Sequence, residues 1–129
     1  NNLSGYIKLN GWVDEKDLFK LLEKNDIFIL PSWAEGLPNS MIEAMSSGLS
    51  VIVSKVGVIP NFIKNKDNGL LVDSKDKESL KNAIKNLLDD SKLKQRLAIN
   101  GHEFAKKNFS SEIGIQRLLE VIEEIIDKK

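Results

Sequence analysis

The chain has 129 residues, enough for one domain with a buried core. Its 19 Lys and Arg balance its 19 Asp and Glu, so no net field draws it to nucleic acid or to an anionic membrane. The absence of cysteine and the presence of a single histidine exclude disulfides, thiolate metal sites and histidine-rich metal sites. Because neither a signal peptide nor a long apolar run is evident, we expect a cytoplasmic protein with no nucleic-acid partner, no bound metal and at most peripheral membrane contact.

The first half of the chain predicts strands and helices in alternation. Residues 6–9 predict a short strand, and Asp14 precedes an apolar-periodic helix. Residues 27–30 are continuously apolar, which is typical of a strand covered on both faces. A polar turn follows, and then a helix that stops at Gly48.

The same alternation continues downstream. Residues 51–53 and 70–72 predict two further buried strands, with a short helix through Phe62 between them. Asp76 is predicted to cap a helix. The apolar face of that helix is expected to contain Leu80, Ala83, Ile84, Leu87 and Leu88.

The segment 91–129 predicts helices only. One begins at Ser91 and is interrupted near Gly101, and the last begins at Ser110 or Ser111. The last helix carries an apolar stripe, which we expect to face the core, with docking on a partner as the alternative. This stripe consists of Ile115, Leu118, Leu119, Ile122, Ile125 and Ile126.

Strands that alternate with helices predict an α/β fold of the Rossmann type, a parallel sheet flanked by helices. We expect residues 1–129 to form a single domain with a helical segment at 91–129. In such a sheet, ligands bind outside the carboxyl ends of the strands. The loop after residues 27–30 is therefore the first candidate site.

That loop, residues 32–39, combines features of an anion site with those of an ordinary connection. Gly36 permits close backbone approach to a ligand, and the following helix presents unpaired N–H groups. No phosphate-loop or dinucleotide glycine fingerprint is present, so an ordinary strand-to-helix loop stays an equal alternative.

Two glutamates lie on this segment, Glu35 in the loop and Glu43 in the helix. Glu43 follows Ser40 by three residues, the spacing of a capping box, and this role competes evenly with ligand binding. A pair of carboxylates also suits glycoside hydrolysis. Outside this segment, Trp12 and Trp33 are expected to be core or rim aromatics, and His102 is expected to be structural.

The stretch PSWAEGLPNSMIEAMSSGLSVIVS resembles the C-terminal domain of family-four retaining glycosyltransferases of the GT-B fold, whose mark is two glutamates separated by seven residues. The likeness extends upstream to Gly11 and Trp12 and downstream through GVIPNFI, NGLLVD, Asp76 and Phe109, nearly the whole chain. It implies the C-terminal half of a GT-B enzyme, truncated on its N-terminal side. Departures from the family pattern occur at Ser50, Val58 and Asn61.

The resemblance implies a role for each matched position. Glu43 would accept hydrogen bonds from the ribose hydroxyls of a nucleotide-sugar, and Glu35, the catalytic candidate, would contact the donor sugar near its anomeric carbon. The diphosphate and sugar would be held by Gly36, Leu37, Pro38, Asn39 and Ser40, and the base would lie near Asn10, Gly11 and Trp12.

The implied function is retaining transfer of a hexosyl group to a glycan or lipid-linked acceptor, in polysaccharide biosynthesis. The co-substrate would be a nucleotide-sugar, with UDP-sugar expected ahead of GDP- or ADP-sugar, and no cofactor or metal is implied. The acceptor would bind through an N-terminal domain, at the inner face of the membrane, and the isolated chain would be inactive without it. The alternatives are a non-catalytic module that acts by protein–protein interaction and a hydrolase that uses the same glutamates.

Overall fold

The structure, a computed structural model, describes residues 3–127. These residues form three strands and six helices in α/β order. The elements are α1 Glu15–Glu23, β1 Ile27–Leu30, α2 Asn39–Ser46, β2 Ser50–Ser54, α3 Ile59–Phe62, β3 Leu70–Val72, α4 Lys77–Asp89, α5 Ser91–Phe109 and α6 Ser111–Asp127.

The three strands form a parallel sheet in the order β1-β2-β3. Ile27 pairs with Ser50, and Ile52 pairs with Leu70. Every residue of the central strand β2 is buried, as the continuous apolar pattern predicts. The predicted Rossmann-like sheet is therefore confirmed, and the carboxyl ends of all three strands lie along one edge.

Helices cover both faces of the sheet. On one face, α1, α2 and α3 pack on β2 together with Ala105 of α5, and Met41 and Met45 are completely buried there. On the other face, α4 and the first half of α5 enclose Ile52 with Leu87 and Leu97. Each face thus has its own apolar core, which is the arrangement of a sheet with crossover helices on both sides.

The strand predicted at residues 6–9 is wrong. Residues 4–6 form a turn in which the Tyr6 amide donates to the Leu3 carbonyl at 2.9 Å, and residues 7–10 join no sheet. Tyr6 and Leu9 are 89% and 92% exposed. Because their apolar side chains bury almost nothing, little free energy offsets the entropy lost on ordering a strand.

The interruption predicted near Gly101 is also wrong, because α5 is continuous from Ser91 to Phe109. Gly101 is buried, and a Cβ there would lie 3.2 Å from the Asn68 carbonyl oxygen. The missing side chain lets α5 approach the rest of the domain closely, and this contact outweighs the poor helix propensity of glycine. The next residue, His102, holds its Nδ1 2.8 Å from the Ser46 carbonyl oxygen at the end of α2.

The apolar stripe on α6 does not enter the core. Its side chains are between 42% and 64% exposed. Both faces of the sheet are already covered by other helices, so α6 lies against α5 and leaves its apolar face open. No helix among the described residues is long and apolar enough to cross a membrane.

Two polar side chains form hydrogen bonds near the ends of elements, the buried Ser50 and the exposed Asp76. Ser50, at a family departure, belongs to β2 and donates a 2.6 Å hydrogen bond to the Lys94 carbonyl. Asp76 accepts from the amides of Glu78 and Ser79 at 3.0 Å, which confirms the predicted cap of α4.

Two neighbouring leucines on α4 provide a test of the packing. Leu87 is fully buried, whereas Leu88, which the pattern placed on the same face, is 68% exposed in the last turn. We expect Leu87→Ala to lower the free energy of unfolding by about 2–5 kcal/mol through cavity formation, and Leu88→Ala to change it by less than about 0.5 kcal/mol. Urea denaturation measures both values, and equal losses would contradict this placement of α4.

Candidate active site

The candidate site lies at the carboxyl end of β1, where residues 31–38 connect the strand to α2. Glu35 is half-buried in this loop, and the Ser32 hydroxyl donates a 2.6 Å hydrogen bond to its Oε1 atom. This partner is not predictable from sequence periodicity, because a contact between two loop side chains has no periodic pattern. The bond limits the directions in which the carboxylate can turn, and leaves its other oxygen available to a ligand.

The loop that follows β2 packs against the backbone of the Glu35 loop. Gly57 has a φ of +55°, and a Cβ at this position would overlap the Glu35 carbonyl oxygen and lie 3.0 Å from the carbonyl carbon. Only glycine permits this backbone approach. Gly57 is therefore a positioning residue for Glu35 that sequence reasoning missed. The one sequence signal for this role was the neighbouring residue Val58, which departs from the family pattern.

The start of α2 differs from the starts of α4 and α5. Asp76 and Asp90 accept hydrogen bonds from the first-turn amides of α4 and α5, but α2 begins after Pro38, which has no side chain that can do so. Within residues 3–127, no group accepts from the amides of Asn39 and Ser40. These two donors, with the partial positive charge of a helix start, can bind an anion.

Glu43 lies one turn into α2 and is half-buried. The capping box, one of the two roles considered for Glu43, is not formed: Pro38 occupies the N-cap, and α2 has no side-chain cap hydrogen bond. A helix that begins one residue before Ser40 puts that serine inside the first turn, where it cannot act as the N-cap. Within the described residues Glu43 has no hydrogen bond or ion pair, so its carboxylate is available to a ligand.

The remaining predicted site residues fall into two groups. Gly36 and Leu37 lie in the exposed part of the loop, and Pro38 is buried beneath it. Asn10 and Trp12, predicted near the base, line a separate cavity of about 370 Å³ beside α1, which neither glutamate lines. Gly11, between them, has a φ of +65°, and Trp12 is 93% exposed.

The described residues contain no group of three or more histidines, aspartates or glutamates that could hold a metal ion. The chemistry available at the β1–α2 loop is instead that of two carboxylates and free backbone amides. Carboxylates accept hydrogen bonds from hydroxyl groups, and amides donate to phosphate oxygens. The loop thus matches a ligand that has both hydroxyl and phosphate groups.

Comparison with known proteins agrees with this chemistry. A family model described as "Glycosyl transferases group 1" matches residues 1–104. The chain belongs to this family. Group 1 glycosyltransferases have the GT-B fold, and the three-stranded sheet and its helices correspond to part of their C-terminal domain.

Two relatives of this group 1 glycosyltransferase chain bear the names of specific sugar transferases. It is 36% identical over 110 residues to the N,N'-diacetylbacillosaminyl-diphospho-undecaprenol alpha-1,3-N-acetylgalactosaminyltransferase of Campylobacter jejuni, with 85% of this chain and 29% of that protein covered. It is 34% identical over 112 residues to the UDP-Gal:alpha-D-GlcNAc-diphosphoundecaprenol alpha-1,3-galactosyltransferase of Escherichia coli, with 82% and 28% covered. The chain thus spans less than a third of the length of either relative.

A solved structure extends the likeness to the whole chain. Sucrose-phosphate synthase from Thermosynechococcus elongatus superposes with a TM-score of 0.88 at 27% identity, over 99% of this chain and 32% of that one. The aligned part therefore includes nearly all of the helical segment as well as the sheet.

The contact between Gly57 and Glu35 can be tested with a matched pair of glycines. Gly48 also has a positive φ, +79°, but a Cβ there meets nothing within 4 Å. We expect Gly48→Ala to lower the free energy of unfolding by about 1–2 kcal/mol, the cost of a left-handed alanine. Gly57→Ala should cost more, because it also displaces the Glu35 backbone. Thermal melts of both variants give the difference, and equal losses would contradict the close approach.

Proposed function

We propose that the chain is the donor-binding part of a retaining hexosyltransferase that uses a nucleotide-sugar, with a UDP-sugar as the first candidate. The observation that carries the proposal is the β1–α2 segment, where two half-buried glutamates and two free helix amides occur within nine residues. The name of the Escherichia coli relative includes UDP-Gal, which supports uracil as the base of the donor.

Each part of the donor has a matching group on the chain. The two ribose hydroxyls would donate hydrogen bonds to Glu43, whose carboxylate has no partner among the described residues. The diphosphate would accept from the amides of Asn39 and Ser40. Gly36, Leu37 and Pro38 would line the sugar, and the base would lie toward Asn10, Gly11 and Trp12.

In the proposed reaction, the bond between the sugar's anomeric carbon and the diphosphate oxygen breaks, and a bond to an acceptor hydroxyl oxygen forms with the same anomeric configuration. The diphosphate oxygen keeps the electron pair of the broken bond, and the proton of the acceptor hydroxyl passes to the departing nucleoside diphosphate. Glu35, held by Ser32 and by the Gly57 backbone, would orient the sugar through its hydroxyls. Donors at the start of α2 would stabilise the negative charge that develops on the diphosphate.

We also propose that the acceptor is a glycan or a lipid-linked sugar. The names of the Campylobacter jejuni and Escherichia coli relatives both describe diphospho-undecaprenol acceptors. Such an acceptor would bring the whole enzyme to the inner face of the membrane. A separate N-terminal domain would bind the acceptor. Without that domain, the chain alone would transfer no sugar.

A second candidate function rests on the exposed apolar face of α6. A module that acts only by protein–protein interaction would use this face and would have no need of a nucleotide. The two candidates differ in one measurable property, the binding of a nucleoside diphosphate by the chain.

Replacement of Glu43 tests the ribose role. We expect Glu43→Ala to weaken UDP binding by at least about tenfold in isothermal titration calorimetry, because each hydrogen bond to a charged group is worth about 1.5–3 kcal/mol. Its free energy of unfolding should change by less than about 0.5 kcal/mol, because Glu43 caps nothing.

The control is Asp90→Ala, which removes a true cap. Asp90 accepts from the Leu93 amide at 2.9 Å, so this variant should lose about 0.5–2 kcal/mol of stability and keep its UDP affinity. Equal UDP binding by the Glu43 variant and the unchanged chain would refute the ribose role. Absence of UDP binding by the unchanged chain would favour the interaction module.

A further inference from the structure

Besides the cavity beside α1, another cavity lies at the edge of the sheet formed by the carboxyl ends of the strands. It is on the face covered by α4. Its volume is about 220 Å³, and neither Glu35 nor Glu43 lines it. It is bounded by the loops that follow β1 and β3 and by the start of α4. The residues that matter for its chemistry are Pro31, Trp33, Ser54, Val72, Lys75 and Leu80.

Ser54, the last residue of β2, is a buried polar residue in the wall of this cavity, and its hydroxyl has no partner among the described residues. Ser54 is 1% exposed, and its hydroxyl forms no hydrogen bond within residues 3–127. By contrast, the buried Ser50 hydroxyl donates to the Lys94 carbonyl at 2.6 Å. Every fully enclosed side-chain polar atom of the described residues has a partner, so the Ser54 hydroxyl keeps contact with the open space of the cavity.

Trp33 forms an aromatic wall of the cavity. Its side chain is 73% exposed, and the Lys75 Nζ atom lies 4.8 Å from the ring centroid. This cation–π contact restrains one face of the indole. The remaining walls are mostly apolar, from Pro31, Val72 and Leu80. An apolar pocket with a few placed polar groups is the usual form of a small-molecule site.

The charges around the cavity select an uncharged ligand. The lining includes two lysines and two aspartates, and one of these, Asp76, is already engaged by the amides of α4. Neither an anion nor a cation finds an excess of opposite charge. A purely apolar ligand would leave the Ser54 hydroxyl without a hydrogen bond. A neutral ring with hydroxyl groups satisfies Ser54 and covers the apolar walls.

The size of the cavity limits that ligand to about one ring. Its volume lies below the roughly 300–1,000 Å³ of pockets that take drug-sized molecules. We propose that this cavity, here named the Trp33 cavity, binds one uncharged sugar ring of a glycan, at a site separate from the nucleotide. The proposal stands on the cavity alone and does not depend on the role of Glu43.

The Trp33 cavity is connected to the glutamate loop through Ser32. The Ser74 hydroxyl, in the loop after β3, donates to the Ser32 carbonyl at 3.3 Å, and the Ser32 hydroxyl donates to Glu35. A ring that packs on Trp33 therefore lies against the same short loop that holds Glu35. A glycan bound there would have one of its sugar units fixed beside the proposed donor site.

The two tryptophans of the chain make the test direct. Trp12→Phe leaves Trp33 as the single tryptophan, and Trp33→Phe leaves Trp12. We expect the fluorescence of the Trp12→Phe chain to change saturably on titration with methyl α-glycosides of glucose, galactose or N-acetylglucosamine. The dissociation constant should be on the order of 1–10 mM, as expected for so few ligand atoms. The Trp33→Phe chain should give no saturable change.

Two serine variants, each made in the Trp12→Phe background, separate binding from folding. Ser54→Ala should raise the dissociation constant of the glycoside about three- to tenfold, the value of one hydrogen bond, and leave the melting temperature nearly unchanged. Ser50→Ala should lower the melting temperature, because its bond to Lys94 is lost, and leave the glycoside affinity unchanged.

Competition with UDP decides whether the cavity is part of the donor site or a separate site for a glycan sugar. Calorimetry of the Trp12→Phe chain first establishes the UDP concentration that saturates it, because Trp12 is proposed to lie near the base. We expect that concentration to leave the glycoside titration unchanged, because the Trp33 cavity is lined by neither glutamate. Loss of the glycoside response in the presence of UDP would show that the cavity belongs to the donor site and would overturn the proposal. No saturable response to any of the three glycosides would overturn it as well, whatever the outcome for UDP and Glu43.

Discussion

The backbone contact between Gly57 and Glu35 is the constraint on which the site depends. Parallel pairing of β1 with β2 brings the loops after both strands to one edge of the sheet. Two loops can share that edge only if one of them has no side chain at the point of contact, and Gly57 provides this with a φ of +55°. The backbone of the Glu35 loop is thereby held against the loop after β2. Hydrogen bonds of Ser32 and Ser74 connect it to the loop after β3.

The start of α2 lacks the side-chain cap that α4 and α5 have. Asp76 accepts from the amides of Glu78 and Ser79, and Asp90 accepts from the amide of Leu93, so each aspartate stabilises the first turn of its helix. Pro38 fixes the backbone at the start of α2 without accepting from its amides. The helix keeps its donors for a ligand and is held instead by the complete burial of Met41 and Met45 and by the Gly48 turn at its end. Packing thus provides the stability that a cap would otherwise supply.

Sequence patterns predict the parts of this fold that depend on local chemistry. The strand at residues 27–30, the Asp76 cap and the end of the helix at Gly48 follow from short-range rules and agree with the structure, although Ile29 of β1 is 37% exposed rather than buried. The failures have tertiary causes: residues 6–9 bury no side chain, and Gly101 is kept within α5 by its contact with Asn68. For the site, the spacing of the two glutamates was readable, but the Ser32 and Gly57 contacts join residues whose proximity only the folded sheet creates.

The most direct test of the central claim is a crystal structure of the chain with a bound UDP-sugar. The account predicts both ribose hydroxyls within about 2.5–3.0 Å of the Glu43 carboxylate, the diphosphate at the amides of Asn39 and Ser40, and the sugar beside Glu35. A nucleotide bound at another edge of the sheet, or a Glu43 carboxylate turned back onto the amides of its own helix, would contradict it.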